Sequence, residues 1–234
     1  FEWGRAGFKL PRELIGPALN AIAQPLQADW RLCFSDAMPR LAIWVSRQNH
    51  CLLDLLWRHQ AQEFAAEIPL IISNHETLKP IADQFNIAFH HVPISKATRA
   101  EQEAQQLALL KQYDIDLVVL AKYMQILSGD FLRQFANVVN IHHSFLPAFM
   151  GAQPYHRAHE RGVKIIGATA HYVTEALDAG PIIEQDVVRI THRDDVKDLI
   201  RKGKDLERIV LSRGVRLHLQ NRVLVYGNRT VVFS

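Results

Sequence analysis

Between residues 38 and 142, short apolar runs alternate with longer segments of helical periodicity, and this alternation narrows the fold more than any other property of the chain. "RLAIWVS", "IPLIIS", "IAFHHV", "DLVVLA" and "NVVNIH" read as buried strands. Between them, "CLLDLLWRHQAQE", a segment through "TLKPIADQF", "TRAEQEAQQLALLKQY" and "GDFLRQF" read as helices. In the third of these, Ala100, Ala104, Leu107 and Leu110 fall roughly on one side. Strands alternating with helices predict a parallel sheet with helices on both faces and right-handed crossovers. Past residue 142 the pattern changes. "KIIGATAHYVT" and "GPIIEQDVVRI" are longer, partly alternating strands joined by a polar loop, which suggests an antiparallel addition. A long helix follows, with Val196, Leu199, Ile200, Leu206 and Val210 along one stripe, and "RVLVYGNRTVVF" predicts a hairpin turning at Gly227–Asn228.

The front of the chain does not continue this pattern. A strand-like opening leads to a helix starting near Pro11, with Leu14, Ile15, Ala18, Ala21 and Ile22 at helical spacing, and "DWRLCF" then reads as a strand. One helix and two strand pieces cannot close a core. Residues 1–37 therefore read as the back half of a small α+β domain, and residues 38–234 as a second, α/β domain.

Composition excludes several classes of function. At 234 residues, with 48% hydrophobic and 22% charged residues, the composition is that of a soluble globular protein. A formal charge of +3 is too weak to argue for nucleic acid and suits an anionic small molecule. Two cysteines, Cys33 and Cys51, support neither a disulfide framework nor a cysteine-rich zinc site. No apolar run reaches membrane-spanning length and no signal peptide opens the chain, so the expectation is a cytoplasmic protein without a membrane partner.

In an open parallel sheet, ligands collect outside the carboxyl ends of the strands. Three polar clusters fall there: "KYMQIL" after the fourth strand, "NIHHS" after the fifth, and "TEALDAG" between the two late strands. Topology thus brings Asn140, His142 and Asp178 towards one cleft. The loop after the first strand, "SRQNHCL", has no glycine to admit a phosphate, which speaks against a nucleotide site. His142 and His143 are adjacent on a strand and are expected to point to opposite faces, so they are not expected to share a metal; further ligands would have to come from His171, Asp178 or His156. Ser144 lies near His142 but lacks a nucleophile elbow, and Cys51 reads as a core residue. An Asn, a His and an Asp remain. An amide can donate to a developing oxyanion, a His can move a proton, and an Asp can hold the His or orient a water. Together they suit acyl transfer or amide hydrolysis.

At these residues the chain resembles the folate-dependent formyltransferase family. "NIHHSFLP", followed by "GATAHYVTEALDAGPII", is similar to the family's signature pair over about residues 39–230. The resemblance implies a Rossmann-like formyltransferase fold with a mostly parallel sheet, and Asn140, His142 and Asp178 as its catalytic trio. "LAKYMQILS", "PAFMGAQPYHRAHERGVKIIGATAHYVT" and "VLVYGNRTVVF" are similar to the branch that hydrolyses 10-formyltetrahydrofolate to tetrahydrofolate and formate. That branch places the pterin against Met124, Gln125, Ile126 and Leu127, with Val173, Thr174 and Ala176 in the loop closing the other side. Thr169, His171 and Ser144 are secondary candidates, and no metal or cofactor is implied. The front segment resembles the second half of an ACT regulatory domain, which implies an amino-acid effector and a homo-oligomer. The alternative is a formyltransferase with an amine acceptor, or a folate-binding regulatory protein without turnover.

Overall fold

The computed structural model describes residues 4, 9–95, 97–148 and 154–233. It separates into two compact units, Phe1–Ala37 and Met38–Ser234. In the first, helix α1 (Arg12–Ala23) starts from Pro11, whose missing N–H costs nothing at a helix N-terminus. A 3-10 turn, Gln24–Leu26, follows. The Arg12 guanidinium pairs with Asp36 and lies 4.0 Å over the Phe34 ring. Of the expected apolar stripe only Ile15 is buried, while Leu14 and Ile22 are exposed. The strand-like opening lies largely outside the described residues. "DWRLCF" is not a strand, correcting the expectation: no described segment pairs with it, and extended backbone without a ladder partner has only solvent or turns for its hydrogen bonds.

The second unit is a seven-stranded sheet of order β3-β2-β1-β4-β5-β6-β7. Its strands are β1 (Arg40–Val45), β2 (Glu67–Ser73), β3 (Ala88–His91), β4 (Leu117–Leu120), β5 (Val138–His142), β6 (Ile165–Tyr172) and β7 (Ile182–Arg189). The first five are parallel; β6 runs antiparallel to β5, and β7 antiparallel to β6. The intervening helices are α2 (His50–Gln60), α3 (Lys79–Gln84), α4 (Arg99–Gln112), α5 (Gly129–Gln134), α6 (Pro154–Arg161) and α7 (Val196–Leu219). A separate hairpin, β8 (Val223–Tyr226) and β9 (Arg229–Val232), ends the chain. Helix α6 was not anticipated. No helix among the described residues is long and apolar enough to cross a membrane.

Two apolar layers sandwich the sheet, and the period of two along each strand assigns residues to them. Leu41, Ile43 and Val45 of β1 join Leu117 and Val119 of β4 in the layer that includes α2 and α7. Ala42, Trp44, Val118 and Leu120 face the opposite layer, with α4 and α5. There Trp44 meets Tyr123 and Phe131 edge-on at 5.3 and 5.5 Å, contacts worth about 0.5–1.5 kcal/mol each beyond their burial. In α4 the buried face is not the expected one. Ala100 and Ala104 are exposed, while Glu103 and Gln106 are buried with Leu109 and Leu110. Glu103 accepts from the backbone N–H and hydroxyl of Ser128, and Gln106 donates to the Tyr123 hydroxyl at 3.0 Å, while its Oε1 is buried without a partner among the described residues. Helix α7 carries a capping box, Asp195 and Asp198 each accepting from the other's backbone N–H.

Candidate active site

On β5, Val139 and Ile141 face the α2/α7 layer, so Asn140 and His142 share the opposite face with Val138. The antiparallel register then sets Asn140 opposite His171 and His142 opposite Thr169. Beyond β6 the chain forms the loop 173–181, which returns Asp178 to this face. Gly180 makes the return possible: a Cβ there would lie 1.8 Å from the Tyr172 carbonyl oxygen. Asp178 has φ 53°, a left-handed conformation that Asp tolerates better than most residues.

His142 is buried, and its Nδ1 lies 3.2 Å from Asp178 Oδ2. Its Nε2 is also buried and has no hydrogen-bond partner among the described residues. Burial pushes the Asp178 carboxyl up, but the hydrogen bond and charge of His142, with His171 behind it, outweigh this and hold it below its usual value. His171 Nδ1 donates to the Tyr172 carbonyl at 2.9 Å, which leaves Nε2 to accept from Asn140 Nδ2 at 3.2 Å. Burial pulls the His171 pKa down, in keeping with a neutral ring. Asp178 Oδ1 stands 4.0 Å from that Nε2, beyond hydrogen-bonding distance. His171 therefore holds Asn140 rather than Asp178, and the second N–H of the Asn140 amide is left to face the cleft.

Thr169 and Ser144 shape the turn that follows β5. Thr169 Oγ1 donates to the Ser144 carbonyl at 2.8 Å and accepts from the Leu146 N–H at 3.1 Å and from Gln185 at 2.9 Å. Ser144 Oγ donates to the Ala148 carbonyl at 2.7 Å. With these bonds made, both hydroxyls are structural.

The segment Met124–Leu127 leaves the end of β4, which pairs with β5 through Leu120 and Asn140. The Met124 N–H donates to Ser46 Oγ at 2.9 Å, and Ser46 donates to Asn74 at 2.7 Å, so side chains tie together the ends of β1, β2 and β4 where glycines are absent. Met124 and Ile126 are exposed and Gln125 is half-buried; Leu127 is buried in the core, so only its backbone is free to meet a ligand. Across from this segment, Thr174 and Ala176 are exposed and Val173 packs on the α4/α5 layer. Arg133 of α5 clamps that loop through Glu175 at 2.7 Å.

The expectation that His142 and His143 diverge is not met. β5 ends at His142, the alternation ends with it, and the two rings stack with centroids 4.9 Å apart and planes at 25°. Behind them lies a cluster that sequence reasoning missed. Glu207 of α7, 1% exposed, contacts His50 at 2.7 Å, the Tyr155 hydroxyl at 2.7 Å and Lys122 at 3.4 Å. His50, Cys51 and Glu207 offer ligand atoms within 4.8 Å of one another. Burial raises the Cys51 thiol well above its ordinary value, and Lys122 already supplies the positive charge that a cation would bring to Glu207. His156 lies on α6, outside this cluster. One sequence signal was available: Glu207 falls inside the apolar stripe of α7, between Leu206 and Val210.

The formyl transferase family model matches residues 39–215. A formyltetrahydrofolate deformylase of Synechocystis is 67% identical over 233 residues, spanning 100% of this chain and 82% of the relative. The crystal structure of a formyltetrahydrofolate deformylase from Pseudomonas syringae superposes with a TM-score of 0.93 at 47% identity, covering 97% of this chain and 76% of that one. A glycinamide ribonucleotide transformylase from Symbiobacterium toebii superposes with a TM-score of 0.80 at 30% identity, covering 88% and 99%.

Proposed function

The chain belongs to the formyl transferase family, and from that premise we propose that it hydrolyses 10-formyltetrahydrofolate to tetrahydrofolate and formate. The observation that carries this reading is the buried His142, held by Asp178 at one ring nitrogen and without a partner among the described residues at the other, beside Asn140 at the end of β5.

Asp178 accepts a proton from a water that adds to the formyl carbon. The resulting oxyanion is stabilised by the free N–H of Asn140 and by His142 Nε2–H, donors held in place before the charge develops. His142 then delivers its proton to the folate nitrogen as the carbon–nitrogen bond breaks, and Asp178 returns the proton that restores it. The balance is one water consumed, with formate, tetrahydrofolate and one proton released. The pterin lies against residues 124–127 and is read by backbone groups, with 173–177 closing over it. No metal is used.

The test is formate release from 10-formyltetrahydrofolate by the purified chain without an amine, with and without chelator. Equal release in both supports hydrolysis without a metal. Formyl transfer only when an amine is supplied would replace this reading by the transferase one.

A further inference from the structure

The transfer chemistry uses one imidazole, yet a second lies against it and is tied to a buried ion pair. Lys122 lies two residues past the end of β4 and is 6% exposed, with φ 65°. Its ammonium stands 3.3 Å from His143 Nδ1 and 3.4 Å from Glu207 Oε2. An ammonium has three donors and no acceptor, so the contact requires a lone pair at Nδ1 and puts the His143 proton on Nε2. Glu207 is anchored in turn by His50 at the start of α2 and by Tyr155 of α6. Tyr155 reaches it because residue 203, one helical turn before Glu207, is glycine; a Cβ there would come within 2.1 Å of the Tyr155 hydroxyl oxygen. Residues from α2, α6 and the segment after β4 thus converge on Glu207 of α7, and of these Lys122 meets His143 Nδ1.

We propose that His143 is a positioning residue of this reaction: stacked on His142 with its Nδ1 tied to the Lys122 ammonium, it leaves His142 as the ring of the pair that takes up the catalytic proton. The proposal rests on the hydrolytic reading above. Two imidazoles at 4.9 Å compete for one proton, because a charge on either disfavours a charge on the other. The ion pair biases the competition, adding to the effect of burial, by fixing a cation 3.3 Å from His143 Nδ1. The charged and titratable groups around that ring are Lys122, His142, Tyr155, Glu207 and, from the 173–181 loop, Asp178. Burial, then Lys122, then His142 lower the His143 pKa to about 4, against smaller opposing effects of Glu207 and Asp178. Glu207 stays ionised: burial pushes it up, but Lys122, His50 and Tyr155 prevail and hold it at about 2.

The experiment uses the full chain carrying Lys122→Met, and separately Lys122→Met with Glu207→Gln. The double variant removes the pair as a unit and leaves no unmatched buried charge, so it keeps the test open if the single variant does not fold. Imidazole NMR resonances and kcat are followed from pH 5 to 8. The expected result is a His143 resonance that titrates between pH 5 and 7, and an extra fall in kcat of more than about tenfold over the same interval, with KM changed less than threefold. A merely structural role would lower kcat equally at every pH. A His143 that stays silent in the folded double variant, or that titrates without moving the kcat profile, overturns the proposal. Should the unmodified chain transfer formyl only to an amine, the hydrolytic reading falls, and the His143 titration still judges the proton assignment alone.

Discussion

Replacing Asp178 with Asn isolates the charge of the proposed base from its shape. The backbone is spared, because Asn is among the residues that accept the left-handed conformation found here at φ 53°. The amide oxygen keeps a hydrogen bond to His142 Nδ1. At an effective dielectric of about 20, opposite unit charges at the observed 3.2 Å attract by about 5 kcal/mol. A hydrogen bond to a neutral acceptor retains about half of a charge-assisted one, leaving a loss of about 2.5 kcal/mol, on the order of a hundredfold in rate. The water also loses its proton acceptor, a contribution of about 10²–10⁴ that overlaps with the first, so kcat is expected to fall by on the order of 10³–10⁴. Formate release under single-turnover conditions measures this. Calorimetric titration with folate is expected to show affinity within about threefold of the unmodified chain, and melting to shift by less than about 2 °C. Asp178→Ala provides the contrast, since the same conformation costs it a further 1–2 kcal/mol or so and lowers the melting temperature by several degrees. An Asn variant that turns over within threefold of the unmodified chain refutes the role given to Asp178.

Asn140→Ala removes one oxyanion donor and is expected to lower kcat by about a hundredfold or more; a KM effect alone would place Asn140 in ground-state binding instead. Acid titration of stability follows from His143 and His171, both held below their ordinary pKa values, His143 at about 4. The unfolded chain protonates first, so stability is lost as pH falls from about 6.5 towards 4, by about 3 kcal/mol for His143 at about 1.4 kcal/mol per unit. Glu207, held at about 2, begins to lose its contribution only below about 4.5, so a urea midpoint unchanged between pH 7.5 and 4.5 would sink this expectation. Ser128→Ala removes the α5 N-cap and a partner of buried Glu103; a loss of about 1–2 kcal/mol, seen as a melting shift of about 2–8 °C, is expected. Gly203→Ala pushes Tyr155 away from Glu207 and is expected to cost about 1–3 kcal/mol, read as a lower melting temperature, by leaving a buried carboxylate short of one donor.

How much of this was legible in the sequence depended on the range of the cause. β1 and β4 are readable because a strand buried on both faces needs apolar residues at consecutive positions, as in "LAIWV" after Arg40 and in "LVVL". Asn140, His142 and Asp178 were singled out because β5 ends in polar residues and the topology brings the loop after β6 to the same strand ends. Glu103 and Gln106 were not foreseen, because their burial depends on Ser128 and Tyr123, and periodicity within α4 carries no trace of them. The Lys122–Glu207–His50 cluster is further from local reading: His50 and Glu207 are 157 positions apart, and only packing on the same face of the sheet brings α2 and α7 together. His143 was misdirected for a smaller reason, since the rule of alternating faces lapses one residue beyond the end of its strand.

The change of direction at β6 also separates two signals that a refolding chain would give. Trp44 sits among β1, Tyr123 and α5, so its environment is complete once the layer around β1 and β4 has closed. Thr169, His171 and Asp178 meet Asn140 and His142 only when β6 docks against β5 from the opposite sense. In a refolding chain the recovery of Trp44 fluorescence is therefore expected to report closure of the β1/β4 layer and the first formate to report docking of β6, and formate appearing before Trp44 recovers would refute this separation.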